Sequence, residues 1–360
     1  MFSHKEEKMI KSRFLTILMV LLLVLLPQAC KKKEAGPEKI IAEVLNLVPA
    51  GASLLFSIDT EAAFELPQLS EAYQDFLGKM EQAMQERGME DFFSGTGLDL
   101  KKDLKRVTNA MYNIADGDSE ILLIAEMGGD YERLVNYLQG RELMEATEEY
   151  RKTRIWTPKD GSVQEEKAED MRVAFLPAGK IIFGNLEKVK QSIDLANGSG
   201  DSIKKTQAIT DNLKTVKTDA LFWIVISPLP LPEGEAEAIP FMPSGLADAQ
   251  ALHGYFDFSN KVYTLQLNLV SSNADANKEM LDMLNGFKAI LAMGASQDEP
   301  NGKILKEVLD KIDLQAAQDR VTLTLAIPEA LMAELAIQAQ DKAGHILQGN
   351  DSEEIEEIEE

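Results

Sequence analysis

Residues 262–270 alternate with a period of two: Tyr263, Leu265, Leu267 and Leu269 are apolar, and Thr264, Gln266 and Asn268 between them are polar. Only a strand sends successive side chains to opposite faces, so this segment belongs in a sheet with one dry and one wet face. A wet face points to an antiparallel sheet, since parallel sheets are covered on both sides by their crossovers. The partner strand lies just upstream at 255–258, across Ser259-Asn260. Just downstream, Asn273 stands where a helix N-cap is needed, ahead of Ala276, Met280, Met283, Leu284, Phe287 and Leu291 on one face.

The same strand-strand-helix unit is read three more times. Strands at 107–114 and 121–125 precede a helix capped by Asp130, and strands at 173–176 and 181–183 precede one capped by Asn185. Strands at 314–317 and 321–327 precede a helix opened by Pro328. Two units lie on each side of about residue 200, each pair led by its own strand, at 53–58 and at 221–226. A further helix opens at Pro67, with Leu69, Tyr73, Phe76, Leu77, Met80 and Met84 on one face. The expected fold class is therefore α+β. It consists of two tandem pseudo-repeats about 165 residues apart, each a mainly antiparallel sheet with helices on one face.

The N-terminus sets the address. Residues 14–27 are apolar and follow Lys5, Lys8, Lys11 and Arg13. That run is shorter than the roughly 20 residues of a spanning helix and has the flank of a secretory signal. It ends beside the single cysteine of the chain, Cys30, so no internal disulfide can brace the body. The stretch Leu26-Pro27-Gln28-Ala29-Cys30 resembles the lipobox of bacterial lipoproteins, with Pro27 where an aliphatic residue is usual. That resemblance implies cleavage after Ala29, diacylation (palmitate or a similar chain) on Cys30, and attachment to an inner or outer membrane, facing the periplasm or the cell surface. An uncleaved anchor and plain secretion also place the body outside the cytoplasm.

The expected organisation is a signal at 1–29, a lipidated cysteine and tether at 30–46, and a first half at 47–200. A connecting helix at 201–218, a second half at 219–347 and an acidic disordered tail at 348–360 follow. With Val48-Pro49-Ala50-Gly51-Ala52 leading into the first strand, the body resembles a group of exported bacterial proteins built from duplicated α+β halves, a group that brings no activity with it.

Charge and motifs exclude more than they select. The chain holds 37 Lys+Arg and 60 Asp+Glu; residues 1–29 hold four and two of these, leaving 33 against 58, a net of −25. Such a surface repels phosphate backbones, so no nucleic-acid partner is expected. There is no HExxH, CxxC pair, EF-hand loop, GxSxG, Walker A or GxGxxG, so no metal, cofactor or catalytic residue is assigned. A trio of Ser244, His253 and Asp257, or a carboxylate pair of Asp59 and Asp257, can be written down, but with Asp59 read as a cap and Asp257 as solvent-facing. Trp223 is read as core, and Trp156 as exposed.

The feature most suited to a partner is the segment 228–245, PLPLPEGEAEAIPFMPSG, with five prolines and with Leu229, Leu231, Ile239, Phe241 and Met242 as candidate contacts. Proline lowers the entropy cost of ordering a loop on binding. The expected function is a non-catalytic, lipid-anchored envelope module that meets an envelope protein. The alternatives are an envelope hydrolase and a solute-binding lipoprotein, the last of which calls for two lobes with parallel sheets.

Overall fold

The alternating segment forms β10 (Val262–Ser271), and Tyr263 on its dry side is 1% exposed. The computed structural model describes residues 43–66, 78–79, 82, 91–114, 119–128, 131–141, 144–158, 170–229, 248–295 and 300–335. The other strands are β1 (Leu54–Ile58), β2 (Leu104–Tyr112), β3 (Glu120–Met127), β4 (Met144–Tyr150), β5 (Thr153–Pro158), β6 (Met171–Leu176), β7 (Lys180–Asn185), β8 (Phe222–Ile226), β9 (Ala249–Ser259), β11 (Ile312–Ala316) and β12 (Arg320–Pro328). The helices are α1 (Thr60–Phe64), α2 (Phe92–Thr96), α3 (Leu100–Asp103), α4 (Tyr131–Gly140), α5 (Leu186–Ala196), α6 (Gln207–Leu213), α7 (Ala274–Gly294) and α8 (Pro300–Asp310), with a 3₁₀ turn at Ile203–Lys205 and a helix at 329–335.

All twelve strands join one sheet in the order β11-β12-β10-β9-β8-β1-β2-β3-β7-β6-β5-β4, and every pairing is antiparallel. The expectation of a separate sheet for each half is thereby corrected. β1 and β8 pair with each other at the centre, Leu54 opposite Ile226 and Ser57 opposite Trp223. The reason lies in their burial: all five residues of β8 are buried, so neither of its edges could face water.

Helices cover opposite faces on the two sides of that centre. On one face Leu55, Ala110, Leu122, Ile124, Ile182, Trp223 and Val225 pack with Val189 and Ile193 of α5 and with Ile203 and Ile209. On the other, Leu54, Phe222, Ile224, Phe256, Tyr263 and Ile327 pack with Leu331, Met332 and, from α8, Ile304 and Val308. The alternation within β1 and β8 supplies both cores. The connection from β10 to the parallel β11 runs through α7 and α8, and α8 packs on this second face through Ile304 and Val308.

Three local details refine the sequence reading. Asn273 does cap α7, its side chain accepting from the Ala276 N–H at 3.1 Å. Asn185 stands at the cap position of α5, yet its carboxamide oxygen accepts from the Ile121 N–H of β3 at 2.7 Å. The β4–β5 hairpin was absent from the strand pattern, because β4 is a sheet edge bearing Glu145, Glu148 and Glu149 and does not alternate. Asp130 and most of the helix opened by Pro67 lie outside the described residues.

Candidate functional site

In the second half, the face of β9, β10 and β12 opposite the second core meets α6 and the residues that follow it at β9. It carries His253, Tyr255 and Asp257 from β9, Thr264, Gln266 and Asn268 from β10, and Thr322 and Thr324 from β12, in register across the strands. The strand period dictates this set, since Phe256, Phe258, Tyr263, Leu265, Leu325 and Ile327 point to the core on the other side.

His253 is 1% exposed and sits at the middle of the network. Its Nδ1 faces the Asn268 amide at 3.5 Å, and its Nε2 lies 3.3 Å from Thr215 Oγ1. The Asn268 carboxamide oxygen in turn accepts from the Thr322 hydroxyl at 2.8 Å. An amide donor at Nδ1 assigns the ring proton to Nε2, which then donates to Thr215. Burial, helped by the nearby Arg320 guanidinium, holds the imidazole down to about 4 against the attraction of Asp319. It is neutral at pH 7 and enclosed, unsuited to exchanging protons with a substrate.

The charged groups proposed from sequence are likewise tied to structural partners. Asp257 is 9% exposed, not solvent-facing, and bonds to the Lys217 ammonium. It therefore forms no pair with His253, whose ring bonds Thr215 and Asn268. Asp59 caps α1, accepting from the Ala62 N–H at 2.9 Å, and its other oxygen holds Arg106 Nη2 at 2.6 Å. Asp59 and Asp257 flank Leu221, whose carbonyl accepts from the Asp59 N–H. Two strand spacings of about 4.8 Å separate the two acids, each beside its own cation.

Pattern reading overlooked a row of alternating charge across β1, β2, β3 and β7: Asp59, Arg106, Glu126 and Lys180. Arg106 stands opposite Glu126, and Glu126 opposite Lys180. Glu126 lies 3.9 Å from Arg106 Nε and 3.7 Å from Lys180 Nζ. Burial still pushes its carboxyl above the usual carboxylate range, against those two cations. The available signal was a charge at an inward parity in each of two neighbouring strands.

Of the candidate partner contacts, Leu229 is described: it packs on the second core and its N–H donates to the Gln250 carbonyl at 3.0 Å. Leu231, Ile239, Phe241, Met242, Ser244 and the lipidation residue Cys30 lie outside the described residues. Trp223 is core, 0% exposed, and Trp156, expected to be exposed, is buried in β5 opposite Val173. Among the described residues, no helix is long and apolar enough to cross a membrane, and no group of three or more His, Cys, Asp or Glu could hold a metal.

No family model matches the chain, and no curated protein matches it. Among solved structures it is similar to crystal form I of TP0453, with a TM-score of 0.43 and 11% identity over 85% of this chain and 98% of that one. Crystal form III of TP0453 gives 0.42 and 11% over 80% and 96%. Likenesses this remote carry no functional argument.

Proposed function

We propose that this chain is a non-catalytic binding or scaffold module of the cell envelope, held to a membrane by lipid on Cys30 and meeting an envelope protein. The observation that carries the reading is that the acid/base groups picked out from the sequence are engaged in structural contacts. Asp59 is held by Arg106, Asp257 by Lys217, and His253 is neutral within its network. An envelope hydrolase would need a site built from other residues. A solute-binding lipoprotein would need its cleft elsewhere than between two parallel-sheet lobes, for one antiparallel sheet runs through the centre.

A tandem duplication of 47–200 and 219–347 across the link at 201–218 is part of the same proposal. Its support is the strand order outward from the centre: β1, β2, β3, β7, β6 on one side and β8, β9, β10, β12, β11 on the other. The β4–β5 hairpin would be an insertion in the first half. The placement of α5 and of the helix at 329–335 on opposite faces is the point at which the two halves diverge.

Two experiments test the reading. Cys30→Ser should abolish fatty-acid labelling and leave unprocessed precursor; equal labelling of variant and parent would sink the lipid anchor. Because Leu229 is seated on the core, the partner test begins one residue later, with residues 230–243 replaced by a short Gly/Ser linker. A loop between β8 and β9 tolerates shortening, so the melting temperature should shift by a few degrees at most while envelope proteins cross-linked to the parent are lost. Retention of the same partners would move the contact off this loop, and unfolding would make the loop structural.

A further inference from the structure

The two outer edges of the sheet are unlike. β4 closes one side with Glu145, Glu148 and Glu149 along a seven-residue strand, so another acidic strand is repelled there. β11 closes the other with the sequence Ile-Asp-Leu-Gln-Ala, which carries one charge. The fifth strand from the centre is β6 in the first half, and its outer edge is paired with β5; the fifth strand in the second half is β11, and its outer edge is unpaired among the described residues.

The open edge can be assigned residue by residue. The Ala317 N–H donates to the Arg320 carbonyl. Odd-numbered residues here therefore turn their peptide groups toward β12, and Ile312, Leu314 and Ala316 turn theirs outward. Lys288 of α7 donates to the Ile312 carbonyl at 2.6 Å, so the helix reaches the rim of the sheet at that residue. The face that α7 buries through Ala276 and Met280 continues at helical spacing into Phe287, Ile290 and Leu291, which are 46%, 60% and 51% exposed. These lie within a turn of Lys288, beside the start of the free edge.

We propose that the β11 edge is the interface at which two copies of this chain associate, β11 against β11 about a two-fold axis through Leu314. In that register each Leu314 exchanges both peptide hydrogen bonds with its counterpart, and Ile312 faces the partner's Ala316. Asp313 faces the partner's Gln315, so no like charges meet. The interface is self-complementary and closes as a dimer, without running on into a fibre. A bilayer could cover the exposed Phe287, Ile290 and Leu291, but hydrocarbon offers nothing to the outward peptide groups of Leu314 and Ala316. A second strand satisfies both.

The test exploits the symmetry, which makes each substitution count twice. Sedimentation equilibrium of the full chain in detergent should show a reversible dimer. Gln315→Lys sets an ammonium opposite the partner's Asp313 and should tighten the dimer; Gln315→Glu sets a carboxylate there and should weaken it. Each change should be roughly threefold to tenfold in the dissociation constant, shrinking at high salt. Ala316→Pro removes an outward donor without touching the bonds to β12, and should leave monomer with an unchanged fold. A chain monomeric throughout overturns the proposal. So does a dimer indifferent to all three changes, or binding to neutral phosphatidylcholine vesicles that depends on Phe287 and Ile290 in a chain that never dimerises. None of these outcomes bears on lipidation or on envelope partners.

Discussion

Trp223→Ala is expected to lower the unfolding free energy by about 3–5 kcal/mol, a large part of the 5–15 kcal/mol that holds an ordinary domain together. The indole is 0% exposed on a strand buried at all five positions, between Ser57 of β1 and Tyr255 of β9. It packs with the first core although its strand begins the second half, so the cavity would open where the two halves are joined. The indole Nε1 has no hydrogen-bond partner among the described residues, so nearly all of the loss is packing, and Trp223→Phe should cost much less. Urea unfolding followed by circular dichroism should give one transition at a lower midpoint, because β1 and β8 form one continuous ladder. A loss under 1 kcal/mol, or two separated transitions in the parent, would contradict this account of the centre.

How much could be read in advance depended on how local the determinants are. β10 and β12 were legible because tetrads such as Val321, Leu323, Leu325 and Ile327 alternate with polar residues, a signal contained within the strand. The cap at Asn273 was legible for the same reason. The pairing of Leu54 with Ile226 was not, since it joins segments far apart in the chain and rests on which buried strand lacks a neighbour. β4 escaped because an edge strand wetted on both faces obeys no period.

The site shows the same division. His253 and Asp257 were picked out by residue type, but their roles are set by Thr215 and Lys217, which follow α6 and approach only in the fold. Trp156, with arginine and threonine nearby in sequence, is nonetheless buried, in an interior strand of the sheet with β6 on one side and β4 on the other. Charge on a neighbouring residue says little about which face a strand residue takes.

The second large effect is on acid stability. His253 accepts a proton at about pH 4 in the folded chain against 6.5 when unfolded, chiefly because it is buried. Between those values the unfolded state binds the proton and the folded state does not, so stability rises with pH across the window and is lost as pH falls from 6.5 toward 4. Above 6.5 both states are neutral and the residue adds no slope. A shift of this size corresponds to about 3 kcal/mol lost by pH 4, relative to neutrality. His253→Gln keeps a side chain able to bond Thr215 or Asn268 but cannot take up the proton, so its stability should fall less over that interval. Titration of Asp and Glu, and of His4 and His345, is common to both proteins and cancels in the difference between their pH profiles. Parallel profiles from pH 7 to 4, or a His253 imidazole resonance titrating near 6.5 in the folded protein and absent from His253→Gln, would mean that Thr215, Asn268 and Thr322 do not enclose a neutral ring.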